Sequence, residues 1–200
     1  MKLKEMKIKT FSLIEEYYPE LAELAEDEDV LNKINGVINQ IQLDLMKYRK
    51  INASHAIAIN KEDSKTINLK DTLKECYQIK AIRCKPEVEL DMPNDDVIIL
   101  PDDYVGNIDI YYYKYPTLVK TLFEGEKPKE ESKDQDDTFE FDLDTILLEI
   151  MPYGIAADLL KMDMISNYGK YFYDRYLELK NTIDSRRSSG VVRISGGIDV

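Results

Sequence analysis

The sequence predicts an α+β fold: a helical bundle from N- and C-terminal helices, an inserted small antiparallel β-sheet, and an extended C-terminal arm. Three observations predict it. Apolar residues recur at helical spacing before about residue 50 and again after about residue 142. Between them lie short runs that alternate with a period of two. The order is therefore helices, then strands, then helices, which is the pattern of an α+β domain. At 200 residues, 44% hydrophobic and 33% charged, the chain can bury one core. The expected organisation is one domain over 1–184, with helices in 1–50, a β-rich insertion in 51–141 and helices in 142–184. The arm follows in 185–200. No internal repeat is visible.

Taken in order, Leu3, Met6, Leu13, Ile14 and Tyr17 fall on roughly one face of a first helix, and Pro19 stops it. Glu20 to Asp29 is acidic, and Asp29 is a candidate cap for a second helix. Val30, Leu31, Ile34, Val37, Ile38, Ile41, Leu45 and Met46 then repeat at helical spacing through about Tyr48. Ala56–Ile59, Lys65–Leu69, Tyr77–Cys84 and Val97–Leu100 read as short strands, with a turn at Asn94-Asp95-Asp96. The clearest strand is Gly106–Tyr115, rich in Ile and Tyr and ended by Pro116. Residues 124–137 lack apolar periodicity and predict a solvated, mobile loop. Thr138–Phe141 is a candidate last strand. Leu143, Ile146, Leu147, Ile150, Ile155, Ala156, Leu159 and Leu160 restore helical spacing, and Pro152 is expected to kink that helix or start a new one. Asn167 is a candidate cap for a final helix striped by Tyr168, Tyr171, Phe172, Tyr176, Leu179 and Ile183.

Charge and composition narrow the function. A net charge of −12 argues against gripping a nucleic-acid backbone, which needs Lys and Arg to displace counterions. It leaves room for a protein that surrounds DNA without holding it, since a negative wall repels phosphates and lets a duplex slide. Two cysteines, Cys76 and Cys84, make no disulfide framework, so buried thiols in a reducing compartment are expected. The basic N-terminus leads into no signal-peptide core, and no apolar run approaches the ~20 residues of a membrane span. A soluble, unexported protein with no membrane partner is the expectation. Fourteen tyrosines and no tryptophan suit either interfaces or the rim of a core.

No stretch carries an enzyme signature. His55 is the single histidine and has no further ligand at metal-site spacing. The acids Asp91, Asp95, Asp96, Asp102, Asp103, Asp134, Asp136, Asp137, Asp142 and Asp144 do not form a calcium loop. Ser195-Gly196-Gly197 lacks the lysine and helix of a phosphate loop. Cys76 or Cys84 with His55 would be the one conceivable nucleophile pair, without supporting local context. The expectation is a non-enzyme with no cofactor, no catalytic residue and no metal. A metal-dependent acidic hydrolase using Asp ligands is the catalytic alternative.

One set of segments carries a resemblance. Gly106-Asn107-Ile108-Asp109-Ile110-Tyr111-Tyr112-Tyr113-Lys114-Tyr115-Pro116 is followed by a polar stretch, then Met151-Pro152-Tyr153-Gly154-Ile155-Ala156-Ala157-Asp158-Leu159-Leu160 and the tyrosine-rich run Tyr168 to Tyr176 with Leu179. This order, over roughly Asn107 to Asn181, resembles the head–tail connector (adaptor, or neck) proteins of tailed bacteriophages. The resemblance implies a homo-oligomeric ring, commonly of about twelve subunits, closed by heterologous contacts. It implies docking on a portal protein, a downstream tail or stopper protein below, and DNA passing through the lumen without sequence-specific binding. It implies a place in the virion neck after synthesis in the host cytoplasm. Another phage tail-completion or interaction module is the alternative within this class. Tyr153, Gly154, Ala156 and Ala157 are the expected oligomer-packing residues; the small side chains of Gly154, Ala156 and Ala157 let helices approach closely, with ordinary helix packing inside one subunit as the alternative.

The C-terminal segment fits the same picture. Ser185–Gly190 is polar, and Val191–Val200 is a short β-type run on that polar arm. Val191, Val192, Arg193, Ile194, Ile198 and Val200 are the expected partner-binding residues. They add a strand to a partner or fold back onto the chain's own sheet edge. Gly190 and Gly196-Gly197 let the arm bend. Arg186, Arg187 and Arg193 suit an acidic partner surface.

Overall fold

The computed structural model describes residues 1–121, 136–161 and 168–185. The expectations for the arm, for residues 124–135 of the acidic loop and for Asn167 as a cap lie outside them. The described chain is α+β. It divides into two compact units, one of residues 1–41, 119–140 and 145–200, the other of 42–118 with 141–144.

The first unit is helical. α1 (Leu3–Tyr17) buries Leu3, Met6, Thr10 and Ile14, one residue per turn on one face. Thr10 is tolerated in that stripe because its hydroxyl donates to the Met6 carbonyl at 2.9 Å. Tyr17, expected on the buried face, is instead exposed. Pro19 opens a 3-10 helix (Pro19–Ala25). The cap of α2 (Glu28–Leu45) is Asp27 rather than Asp29: its carboxylate accepts from the N–H groups of Asp29 at 2.8 Å and Val30 at 3.2 Å. Within the unit, α2 buries Ile34, Ile38 and Ile41.

Residues 138–141 do not form the expected strand. Residues 136–138 make a helical turn, and Glu140 makes a single antiparallel bridge to Lys2. Lys7 pairs with Asp136 at 2.8 Å, and Leu3 N–H donates to the Phe139 carbonyl at 3.1 Å. Alternation over four residues is compatible with a strand, but here the segment meets the start of a helix and forms an isolated bridge in place of a ladder.

α4 (Thr145–Leu160) is the core of this unit. Its apolar residues surround the helix, and nearly every turn is buried, as in a helix enclosed on all sides. It runs through Pro152 as one helix, so no new helix starts there. α5 (Tyr168–Ser185) is amphipathic and buries Phe172, Tyr176 and Ile183. Ile14, Ala156, Ala157, Leu160 and Phe172 form one apolar cluster.

The second unit holds two antiparallel three-stranded sheets rather than the one expected. One has the order β1-β6-β3, from β1 (Ile51–Ile59), β6 (Gly106–Lys114) and β3 (Cys76–Lys85). The other has the order β2-β5-β4, from β2 (Thr66–Asn68), β5 (Val97–Ile99) and β4 (Asp91–Asn94). α3 (Leu69–Thr72) is a short helix capped by Asn68, whose side chain accepts from Lys70 N–H at 3.0 Å. β1 runs in unbroken register with β6, from Ile51↔Lys114 to Ile59↔Gly106. β3 pairs with the other side of β6 through two register shifts. Ile108 and Ile110 of the central strand are fully buried and share a core with Ile59, Ile67, Leu73, Ile98 and Tyr104.

Candidate interaction surfaces

The small residues singled out in α4 face inward. Ala156 and Ala157 are buried in the cluster with Ile14 and Phe172. A Cβ on Gly154 would stand 2.9 Å from the Tyr176 ring and 3.1 Å from Ile41 Cδ1. These three positions therefore bring α5 and α2 against α4 within one chain, and their surface is used there. Tyr153 is half-buried beside the same cluster. The arm residues Val191, Val192, Arg193, Ile194, Ile198 and Val200 lie outside the described residues.

The tyrosines gather on two surfaces. In the first unit, Tyr17 and Tyr171 are exposed with ring centroids 4.7 Å apart, and Tyr18 lies 4.2 Å from Tyr168. Phe172 sits edge-on to Tyr17, Tyr18 and Tyr171 at 5.4–5.8 Å, so this ridge rises from a buried ring. The side-chain hydrogen bond of the Tyr17 hydroxyl with Tyr171, which holds the Tyr17 proton, pushes its pKa up. Tyr173 of α5 is also about half exposed, two residues on from Tyr171 and so on another face of the helix.

In the second unit, the face of the β1-β6-β3 sheet opposite Ile108 and Ile110 carries Tyr111 and Tyr113. Cations stand over both rings. Lys50 Nζ lies 4.8 Å from the Tyr113 centroid, Lys80 Nζ 5.6 Å from the same ring, and Arg83 5.5 Å from Tyr111. Lys85 pairs with Asp109 at 3.1 Å. A chain of net charge −12 thus holds a local basic and aromatic face. The period-two spacing of Tyr111 and Tyr113 was the available sequence signal; Lys80 and Arg83, three residues apart on β3, meet that face through the register shift between Ile79 and Ala81, which spacing alone does not reveal.

A clamp was missed altogether. Asn39, on α2, donates its side-chain amide to the Val119 carbonyl at 2.7 Å and accepts the Val119 N–H at 2.8 Å. One turn earlier, Asn35 donates to the Lys120 carbonyl at 3.2 Å. Two asparagines four residues apart in an otherwise apolar stripe mark the place where α2 pairs with an extended segment as a strand would.

The residues considered for chemistry are scattered or quiet. His55 is exposed on β1, opposite Ile110. Cys76 and Cys84 are free cysteines, and burial pushes both thiols up in pKa, the reverse of what an activated nucleophile needs. Asp142 serves structure: it pairs with Lys114 at 2.7 Å and accepts from the Thr117 N–H and hydroxyl. Asp144 pairs with Arg49 at 2.8 Å, and Asp96 with Lys70. Among the described residues, no group of three or more His, Cys, Asp or Glu is arranged to hold a metal ion, and no helix is long and apolar enough to cross a membrane. A cleft of about 500 Å³ lies beside Leu73, Tyr77 and Met92, lined by mixed polar and apolar groups with no convergent catalytic set. Compared with protein-family models and with curated proteins, the chain matches no family model and no curated sequence.

Proposed function

We propose that this chain is a structural virion protein of a tailed bacteriophage, forming a ring at the head–tail junction as a portal adaptor. DNA passes through the ring without sequence-specific binding, and the chain does no chemistry. One observation carries the reading: each segment of the connector resemblance is an architectural centre of its unit. Gly106–Lys114 is the central strand of its sheet, Met151–Leu160 lies in the enclosed helix, and Tyr168–Leu179 packs on that helix through Phe172 and Tyr176. The motifs are therefore packing motifs, as a resemblance in fold would require. The exposed tyrosine ridge and the Tyr111–Tyr113 face add surfaces of the composition found at protein interfaces.

The experiment is electron imaging of the purified chain alone and with its portal. Rings docked coaxially on the portal are expected. A chain ending at Asp184 is expected to stay folded and to fail to join the portal. Normal particle assembly by that shortened chain, or a chain that never joins the portal, overturns the reading.

A further inference from the structure

The two edges of the β1-β6-β3 sheet are built differently. β3 is guarded: it carries Lys80, Arg83 and Lys85 and is interrupted by two register shifts. Charges and bulges are what natural sheets place on an edge to prevent further pairing. β1 has neither. From Ile51 to Ile59 it contains no Lys, Arg, Asp, Glu or Pro, and its nine register pairs with β6 are unbroken. Asn52, Ser54, His55, Ala56 and Ala58 are exposed. Among the described residues no strand lies outside β1, so alternate residues turn their N–H and C=O groups outward.

The strand is its own complement. A two-fold axis through His55, perpendicular to the sheet, sets two copies of β1 antiparallel and pairs all nine residues. Any other centre shortens the ladder. Side chains directly opposite each other share a face. Ile51 then meets Ile59, and Ala53 meets Ile57, on the face where Ile57 and Ile59 already join the core of the β unit. On the other face Asn52 meets Ala58 and Ser54 meets Ala56, small side chains without charge. His55 meets its own copy.

The charges at the ends of the strand select the antiparallel sense. Lys47, Arg49 and Lys50 lead into β1, with no acid among residues 45–50. The turn after it holds Lys61, Glu62 and Asp63, with the acids in excess. Antiparallel pairing brings the basic end of one copy beside the acidic turn of the other, at both ends of the ladder. Parallel pairing sets like beside like.

We propose that the β1 edge is a docking surface for the β1 edge of a second copy of this chain. The contact is isologous, each pair of residues being made twice about the axis, and it joins two three-stranded sheets into one continuous sheet. Backbone hydrogen bonds supply the contact and the alternation supplies the register. The pairing does not rest on the ring reading, which needs heterologous contacts.

The test uses full-length chains, each with one added cysteine, under mild oxidation. A mixture of Asn52→Cys and Ala58→Cys copies is expected to give disulfide-linked dimers at least about tenfold above either variant alone, because only the mixture sets two cysteines opposite each other within bonding range. The unsubstituted chain gives the background from Cys76 and Cys84. In sedimentation the unsubstituted chain is expected to show dimers. His55→Lys sets two cations face to face on the axis and is expected to weaken self-association several-fold, with the circular dichroism unchanged. An equal mixture with His55→Glu copies is expected to restore it. Three results overturn the inference: a monomer throughout the micromolar range, mixed-cysteine dimers at the level of the single variants, or no recovery in the Lys–Glu mixture.

Discussion

The helical unit and the β unit finish their surfaces in opposite ways. In the helical unit every small residue of α4 is used by a neighbour of the same chain: Gly154 receives Tyr176 and Ile41, and Ala156 and Ala157 receive Ile14 and Phe172. In the β unit, β6 is saturated on both sides, but its two neighbours differ, one edge charged and bulged and the other smooth and uncharged. The difference teaches where to look for partners. A helix satisfies its own backbone and is finished once its apolar stripe is covered. A strand is finished only when both of its edges are paired or defended.

The largest effects should come from breaking the closed side of this contrast. Phe172→Ala removes a fully buried ring from beneath the tyrosine ridge and should cost about 4 kcal/mol of stability in a urea titration. Should it prove near neutral, the helical unit is not closed around that ring. Gly106→Ala acts at the start of β6, where a Cβ would run into the Lys85 carbonyl oxygen. About 3 kcal/mol should be lost, with the β3 pairing opened first in amide hydrogen exchange. Asn39→Ala strips two hydrogen bonds from Val119 and should cost about 2 kcal/mol; Asn39→Asp, which keeps the acceptor only, should recover part of it.

The open side should respond in the reverse sense. Ala56→Lys on the β1 edge should change stability by less than about 0.5 kcal/mol, because the site is exposed and makes no core contact. Self-association measured by sedimentation should nonetheless fall; equal loss of stability and association would show that the edge is structural. The smallest effect concerns β3. Burial raises the Cys76 and Cys84 thiol pKa values, so less thiolate is present at a given pH than on an unburied cysteine. Labelling by a disulfide reagent at about pH 8 should be slower than for a small free thiol, and its rate should keep rising at more alkaline pH. Rapid labelling at neutral pH would contradict the burial of these groups.

Much of this architecture was legible from residue spacing. The stripe Ile34, Ile38, Ile41 and Leu45 announces α2, and Ile108, Ile110 and the tyrosines announce β6. The Asn94-Asp95-Asp96 turn joins β4 to β5 as its composition suggests. What was misread depended on partners. Thr138–Phe141 alternates, but its Glu140 forms an isolated bridge to Lys2 and not a strand ladder. Asp29 was the expected cap of α2, but its own N–H and that of Val30 are the donors, and the carboxylate that accepts them is two residues earlier, on Asp27. Gly154, Ala156 and Ala157 look suited to close approach by any helix, and the fold assigns them to α2, α5 and α1 of the same chain.

By itself, the sequence determined the class of fold, the position of most helices and strands, and the acidic balance of the chain, because periodicity and charge are local properties of the residues. Only the tertiary structure decided that the insertion makes two sheets, that cations stand over Tyr111 and Tyr113, that Asn39 clamps Val119, and that the β1 edge is left smooth while the β3 edge is guarded. Each of those is a fact about which neighbour a residue meets. Neighbours far apart in the chain are chosen by the whole packing and not by the spacing of any one segment.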